Sequence, residues 1–269
     1  MRINISFKIL KSNHLPFNYN IFLTALIYKF INSSDRNYAE MLHNRGFHNA
    51  GRSFKLFTFS DLQCSIEKIR ADKIILKNDN ILWSVSSPVD DFIRHLVQGL
   101  FIQGQNIILN NQLLNIEKVE VLAPPEFSDS MRFKTLSPLV LSTKKIIDGK
   151  LSQYYLRYFD ECAPVLLQNL KRKYFIVQGQ EHPAASLKIS FDKDYICRQV
   201  NRGLRADVIC SSLRHIVKLN KKTGNYDDIK IKGIVCPFEI KCAPELIQIG
   251  YECGFGEKNS TGFGMVEKI

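Results

Sequence analysis

The order in which the hydrophobic period changes along this chain restricts its fold more than any single residue does. Ile3, Ile5, Phe7 and Ile9 alternate with Asn4, Ser6 and Lys8, the two-residue period of a half-buried strand. From Tyr19 to Asn32 the period lengthens: Phe22, Leu23, Leu26, Ile27, Phe30 and Ile31 recur at helical spacing and predict an amphipathic helix. Short strand-like runs follow at Leu56–Ser60, Lys73–Lys77 and Ile81–Ser86. Ser87-Pro88-Val89-Asp90 then offers an N-cap, a proline at the first helical position and an acid in the first turn. The helix it starts carries Val89, Phe92, Ile93, Leu96, Val97 and Leu100 and ends near Gly104; Asn106–Leu109 and Ile116–Leu122 read as further strand.

This β-α-β-β-α-β order is the ferredoxin-like arrangement and places the chain in the α+β class. Ala123-Pro124-Pro125-Glu126 reads as a linker and divides the chain into residues 1–123 and 124–269. The second half repeats the theme more loosely. It shows a strand across Phe133–Ser142, a helix within Ser152–Leu170, and strands at Tyr174–Gln178, Leu187–Phe191 and Ile229–Lys241. A short helix opening near Ala243-Pro244-Glu245 and a last strand at Phe263–Ile269 complete it. Asp194–Asn220 has no single period, since Leu213, Ile216 and Val217 suggest helix while their flanks do not. Lys221-Lys222-Thr223-Gly224-Asn225 reads as a basic hairpin tip.

With 269 residues, 45% of them hydrophobic and 23% charged, the chain can bury one large core or two of ordinary size, and the linker argues for two. The 37 Lys and Arg outnumber the 26 Asp and Glu, and the resulting +11 favours a polyanionic partner, nucleic acid first. Seven cysteines without a CxxC pair point to reduced thiols in a cytosol, against both a zinc knuckle and a disulfide framework. MRINISFKIL lacks a signal-peptide apolar region and no run of eighteen apolar residues occurs, so a cytoplasmic protein without a membrane partner is expected.

Five of the fourteen glycines fall between Gly250 and Gly264, in GYECGFGEKNSTGFG, interleaved with Tyr251, Phe255 and Phe263 and with Glu257, Lys258 and Asn259. Glycine admits positive φ and the close approach of another backbone. The segment reads either as a tight turn between the last helix and the last strand or as a loop offering main-chain N–H groups to an anion. It is not a triphosphate loop, because GxxxxGK[ST] requires lysine after the second glycine and Gly256 is followed by Glu257. GxGxxG fails as well, since Glu257-Lys258-Asn259 follows Gly254 and Gly256.

A second constellation, MLHNRGFHNAGRSFKLFTFS, brings His43, Arg45, His48, Arg52 and Lys55 together with no acid between Glu40 and Asp61. An imidazole there can act as general acid or base near neutral pH, and an unopposed lysine can stabilise charge developing on a phosphate. The same residues also suit a solvated basic loop. Five positions apart on a continuous helix, His43 and His48 would diverge by about 140° and would not act as a pair. No cysteine or acid stands at ligand spacing to either histidine, which argues against zinc. Tyr28 lies outside the apolar arc of its helix, so it is either a surface ring or a functional one. His14, His95, His182 and His215 lack basic or catalytic company and read as structural. Lys171-Arg172-Lys173, Arg198, Arg202, Arg205 and Arg214, interleaved with Tyr174, Phe175 and Tyr195, suit either a solvated face or RNA.

The tail GYECGFGEKNSTGFGMV resembles the C-terminal glycine-rich signature of the CRISPR-associated endoribonucleases of the RAMP superfamily, which process precursor CRISPR RNA at its repeats. LPFNYNIFLTALIYKFI, LHNRGF followed by KLFTFS, and TLSPLVLS resemble further blocks of that family in order and spacing, spanning almost the whole chain. The resemblance implies two tandem ferredoxin-like (RRM-like) domains facing across a basic cleft. It also implies metal-independent cleavage, without cofactor, by 2′-hydroxyl attack, giving a 2′,3′-cyclic phosphate and a 5′-hydroxyl. Carried over motif by motif, the catalytic positions are His43 in MLHNRG, Tyr28 in LIYKF and Lys55 in FKLFTFS, with His48 and Arg52 as alternates because the His43–Lys55 interval is long. RNA contact falls to the tail at Gly250, Gly254, Phe255, Gly256, Lys258, Asn259, Gly262 and Gly264. The implied partner is CRISPR repeat RNA, with room for other effector subunits and for a homodimer. A non-cleaving RNA-binding subunit of an effector is the alternative.

Overall fold

The computed structural model describes every residue except Ser12, Ala50, Ala71, Asp72, Asp148, Ala206, Asp207 and residues 220–224; the expected basic tip at Lys221–Gly224 therefore lies outside the described residues. The chain forms two compact units, Met1–Pro124 with Ser260–Gly262, and Pro125–Asn259 with Phe263–Ile269. Three residues of the glycine-rich tail thus belong to the first unit, whereas a single cut at the linker would put the whole tail in the second.

The first unit is built on an antiparallel sheet in the order Thr58–Phe59, Asn80–Ser86, Arg2–Ile9, Gln112–Leu122, Asn106–Leu109. With helix α1 (Asn20–Ser34) after the first strand and a second helix at Asp90–Gln103 after the third, this is the ferredoxin-like order 2-3-1-4. Ile3, Ile5, Phe7 and Ile9 share one face of the sheet because the strand period is two, and all are buried. They join a single core with Leu23, Leu26, Ile27, Phe30 and Ile31 of α1 and with Phe92, Ile93, Leu96 and Leu100 of the second helix. Between these come the short α2 (Arg36–Glu40), capped by Asp35 accepting from Tyr38 N at 2.9 Å, and a π-helical turn at Met41–Arg45. The helix Asp90–Gln103 is accordingly α3. The strand-like run expected at Lys73–Lys77 is a strand, Lys73–Leu76, which lies between His14–Pro16 and Ile66–Arg70 in a separate three-stranded sheet, burying Ile74 and Leu76.

The second unit repeats the order with Lys188–Phe191, Phe238–Lys241, Ser130–Thr135 and Val266–Lys268, together with α4 (Ala163–Gln178) and a helix at Pro244–Cys253. The expected strand at Tyr174–Gln178 is instead the end of α4. That helix starts with a proline in its first turn, buries Leu166, Asn169, Leu170 and Lys173, and stops at Gly179 with φ 73°. The strand expected across Phe133–Ser142 ends at Thr135, and Leu139 and Val140 make only isolated bridges to Ile234 and Gly256. The run Ile229–Lys241 divides into Tyr226–Ile234 and Phe238–Lys241 around Pro237, which has no N–H to give a ladder. Asp194–Asn220 resolves into α5 (Lys193–Asn201), capped by Asp192, and the strand Ser211–Leu219, on which Leu213, Ile216 and Val217 lie rather than on a helix. Pro244–Cys253 is then α6. No helix among the described residues is long and apolar enough to cross a membrane.

The contact between α1 and α3 depends on Gly99, where a Cβ would fall 1.8 Å from Phe30 O. Replacing glycine by alanine in a helix interior ordinarily stabilises by about 1 kcal/mol. Here Gly99→Ala should destabilise by about 2 kcal/mol through overpacking, measured by urea unfolding.

Candidate active site

The π-helical turn follows directly from α2 and closes with Gly46 N donating to Met41 O at 2.9 Å. One residue more per turn than an α-helix leaves its carbonyls badly placed for the next turn, and a side chain takes them. Lys55 Nζ donates to the carbonyls of Leu42 and of His43, the latter at 2.7 Å. Gly46, at φ 65°, makes room for that lysine: a Cβ there would lie 2.9 Å from Lys55 Cδ and 2.6 Å from Phe54 O. Burial holds the Lys55 ammonium below its ordinary range.

The turn presents His43 to α1. The Tyr28 and His43 rings meet edge to face at 5.2 Å and 82°, and Tyr28 also contacts Phe57 at 6.2 Å. Burial raises the Tyr28 hydroxyl well above its usual range, with Tyr38 adding to the effect, so it stays a protonated phenol at neutral pH. His43 itself is exposed, with Nδ1 3.1 Å from Asn44 Oδ1. Tyr28, His43 and Lys55 thus converge on one turn. His48 and Arg52 are both exposed on the following hairpin, where they pair across it with Ser53 and Asn49.

The tail is organised from inside. Lys173 of α4, 2% exposed, donates from Nζ to Gly254 O at 2.6 Å, Gly256 O at 2.7 Å and Asn259 Oδ1 at 2.8 Å. The same peptide units are held from their other edge: Phe255 N donates to Gly264 O and Glu257 N to Val140 O, both at 2.8 Å. Asn259 Nδ2 closes the loop on Phe255 O and Phe263 O. Burial pushes the Lys173 ammonium down to about 8, opposed by Cys253 and Glu257. Gly250 leaves space for the Phe255 ring, and at Gly256 and Gly264, with φ 74° and 78°, a Cβ would strike Val140 O at 2.2 Å and Phe255 O at 2.0 Å. In the first unit, Gly262 leaves space for the Phe59 ring, and Thr24 Oγ1 lies 3.4 Å from Ser260 O.

Of the eight tail residues expected to meet RNA, the five glycines and Phe255 are buried, Asn259 is half-buried and Lys258 is exposed at φ 61°. Lys173 was expected only as part of a basic run. Its signal was the spacing of Leu166, Asn169, Leu170 and Lys173, one helical stripe that ends in a lysine.

Residues 122–268 match the description of the CRISPR-associated protein Cas6 C-terminal domain, and residues 14–120 that of the Cas6 N-terminal domain. The chain belongs to the Cas6 family. It is 29% identical to CRISPR-associated endoribonuclease Cas6 1 of Methanocaldococcus jannaschii, covering 100% of this chain and 93% of that one. It is 28% identical to the Cas6 endoribonuclease-like protein Cas6nc of Pyrococcus horikoshii, with full coverage of both. A solved structure described as a RAMP protein binding different RNA substrates superposes with a TM-score of 0.75 at 25% identity, covering 100% of this chain and 99% of that one.

Two stability measurements check this geometry. Gly46→Ala, forced into left-handed backbone against Phe54 O, should cost about 2 kcal/mol in denaturant melts. Lys173→Met, which leaves three buried acceptors without a donor, should cost about 3 kcal/mol or more, against less than about 0.5 kcal/mol for exposed Lys188→Met.

Proposed function

We propose that this Cas6-family chain is an endoribonuclease that cleaves precursor CRISPR RNA within its repeats without a metal ion. The observation that carries the reading is the convergence of Tyr28, His43 and Lys55 on one π-helical turn. Cleavage needs a proton taken from the 2′-hydroxyl, a proton given to the departing 5′-oxygen, and stabilisation of the charge gathering on the phosphate. The 2′-oxygen attacks phosphorus in line as the bond to the 5′-oxygen breaks, leaving a 2′,3′-cyclic phosphate and a 5′-hydroxyl. His43 serves as general base or acid, the exposed imidazole being the side chain of this turn that can both accept and donate a proton. Tyr28, kept protonated by burial, orients the imidazole or relays a proton. Two of the three ammonium protons of Lys55 are committed to carbonyls, and the third is directed to a phosphate oxygen. Exposed Lys258, on the glycine-rich loop, contacts the RNA backbone.

The engagement of Lys55 with backbone also favours a second reading, a non-cleaving RNA-binding subunit of a CRISPR effector. Incubation with repeat RNA in EDTA separates the two. The nuclease should make a single cut ending in a cyclic phosphate, and His43→Ala should slow single-turnover cleavage by about 100-fold or more, with His48→Ala at the wild-type rate. Binding without cutting establishes the second reading, and a cut that requires magnesium overturns the first.

A further inference from the structure

The charged groups of the second unit mostly face water, but one is enclosed by the segment to which RNA contact is assigned. Lys173 lies at the third turn of α4, and its three N–H donors meet three acceptors, Gly254 O, Gly256 O and Asn259 Oδ1, all within 2.8 Å. The acceptors bracket Lys258, so the loop that exposes this residue is drawn around a single buried cation. Resting on the RNA-binding reading above, we propose that Lys173 is a positioning residue for RNA recognition, its ammonium setting the loop conformation in which Lys258 meets the phosphate backbone.

Three features favour a positioning role over simple filling of the core. An apolar side chain would fill the same space without the cost of taking a charge out of water, which is several kcal/mol. The two main-chain acceptors, Gly254 O and Gly256 O, lie between the end of α6 and the 3₁₀ turn at Asn259–Thr261, outside any helix or strand ladder that could satisfy them. The peptide units Gly254–Phe255 and Gly256–Glu257 are held by the lysine on one edge and by Gly264 O and Val140 O on the other, so rotating either unit breaks two hydrogen bonds. Loss of the third donor by deprotonation would leave one acceptor unmet and loosen this clasp.

The titratable groups facing Lys173 are few. Cys253 of α6 is buried, its thiol pushed up to about 11, and Glu257 of the loop accepts from Ser142 Oγ at 2.8 Å. The Cys253 thiol lies above the window between pH 7 and 9, whereas the lysine, held near 8, lies within it. The folded-state value lies below the ordinary lysine range, so the charged clasp is complete below about pH 8 and is lost as pH rises through it. An RNA phosphate near the loop favours the charged form, so affinity falls in the same window.

The test is the affinity of the full chain for repeat RNA between pH 7 and 9 at fixed salt, beside single-turnover cleavage at saturating RNA. Wild type should bind about tenfold more weakly at pH 9, the equivalent of one charge-assisted hydrogen bond. Lys258→Ala should bind more weakly at pH 7 and show no step, because the residue through which the lysine acts is gone. Lys173→Met should bind at pH 7 at least as weakly as wild type does at pH 9, since it loses all three donors rather than one, and show no step. A flat wild-type profile, or a step retained in Lys173→Met, overturns the inference while leaving the nuclease reading intact. Absence of any wild-type binding overturns both. If Lys173→Met fails to fold, the wild-type and Lys258→Ala profiles still decide, since a step in the first that persists in the second overturns the route through Lys258.

Discussion

A lysine ammonium withdrawn from water must be met by acceptors, and Lys173 finds them in carbonyls that no secondary structure could satisfy. The exchange works in both directions. Glycines at positive φ cost backbone entropy, on the order of 1–2 kcal/mol for each residue fixed, and a loop containing four of them has little reason of its own to hold one shape. Three charge-assisted hydrogen bonds to one point supply that reason. The first unit uses the same device at smaller scale. Lys55 satisfies the carbonyls of Leu42 and His43 where the π-helical turn departs from regular geometry, with Gly46 giving the lysine its space. Each unit thus holds an irregular segment by means of a lysine.

The duplicated β-α-β-β-α-β order was legible because burial imposes its period on sequence: Ile3 to Ile9 alternate, and α1 and α3 carry full apolar stripes. The misreadings occur where another constraint replaces that period. The stripe of α4 contains Asn169 and Lys173, so its second half looked polar and the helix was placed too early. Lys73–Leu76 has strand residues but pairs outside the main sheet, and composition does not reveal a strand's partner. Pro237 divides what reads as one continuous apolar run. In the tail, the unusual backbone was evident from the glycines themselves. Its inward direction was not, because the lysine that sets it lies eighty residues away in sequence.

The candidate site shows the same division. Tyr28 stood out because it fell off the apolar arc, yet it is half-buried and packs on His43, a contact no helical wheel contains. The angular argument separating His43 from His48 assumed one continuous helix. The chain instead leaves the helix through a π-helical turn, which carries His43, and enters a hairpin, which carries His48. Their difference is therefore one of element rather than of angle. The imidazole of His43 sits on a turn braced by α1 and Lys55, whereas that of His48 lies exposed on a hairpin strand.

The positive charge of the chain must be read in the same way. The +11 was the reason for expecting a polyanionic partner, but the sum treats every lysine as available. Lys173 is enclosed by its own loop and Lys55 is shared with two carbonyls, so neither contributes to the surface field as an exposed lysine does. Lys258 and Arg52, by contrast, are exposed, and a phosphate backbone can displace their counterions. Buried cations shape the segments that exposed cations use, so removing one of each should weaken RNA binding by different routes. The loss of an exposed charge flattens the dependence on salt directly, because that charge exchanges counterions with the RNA, whereas the loss of a buried one does so only through the exposed residue it positions.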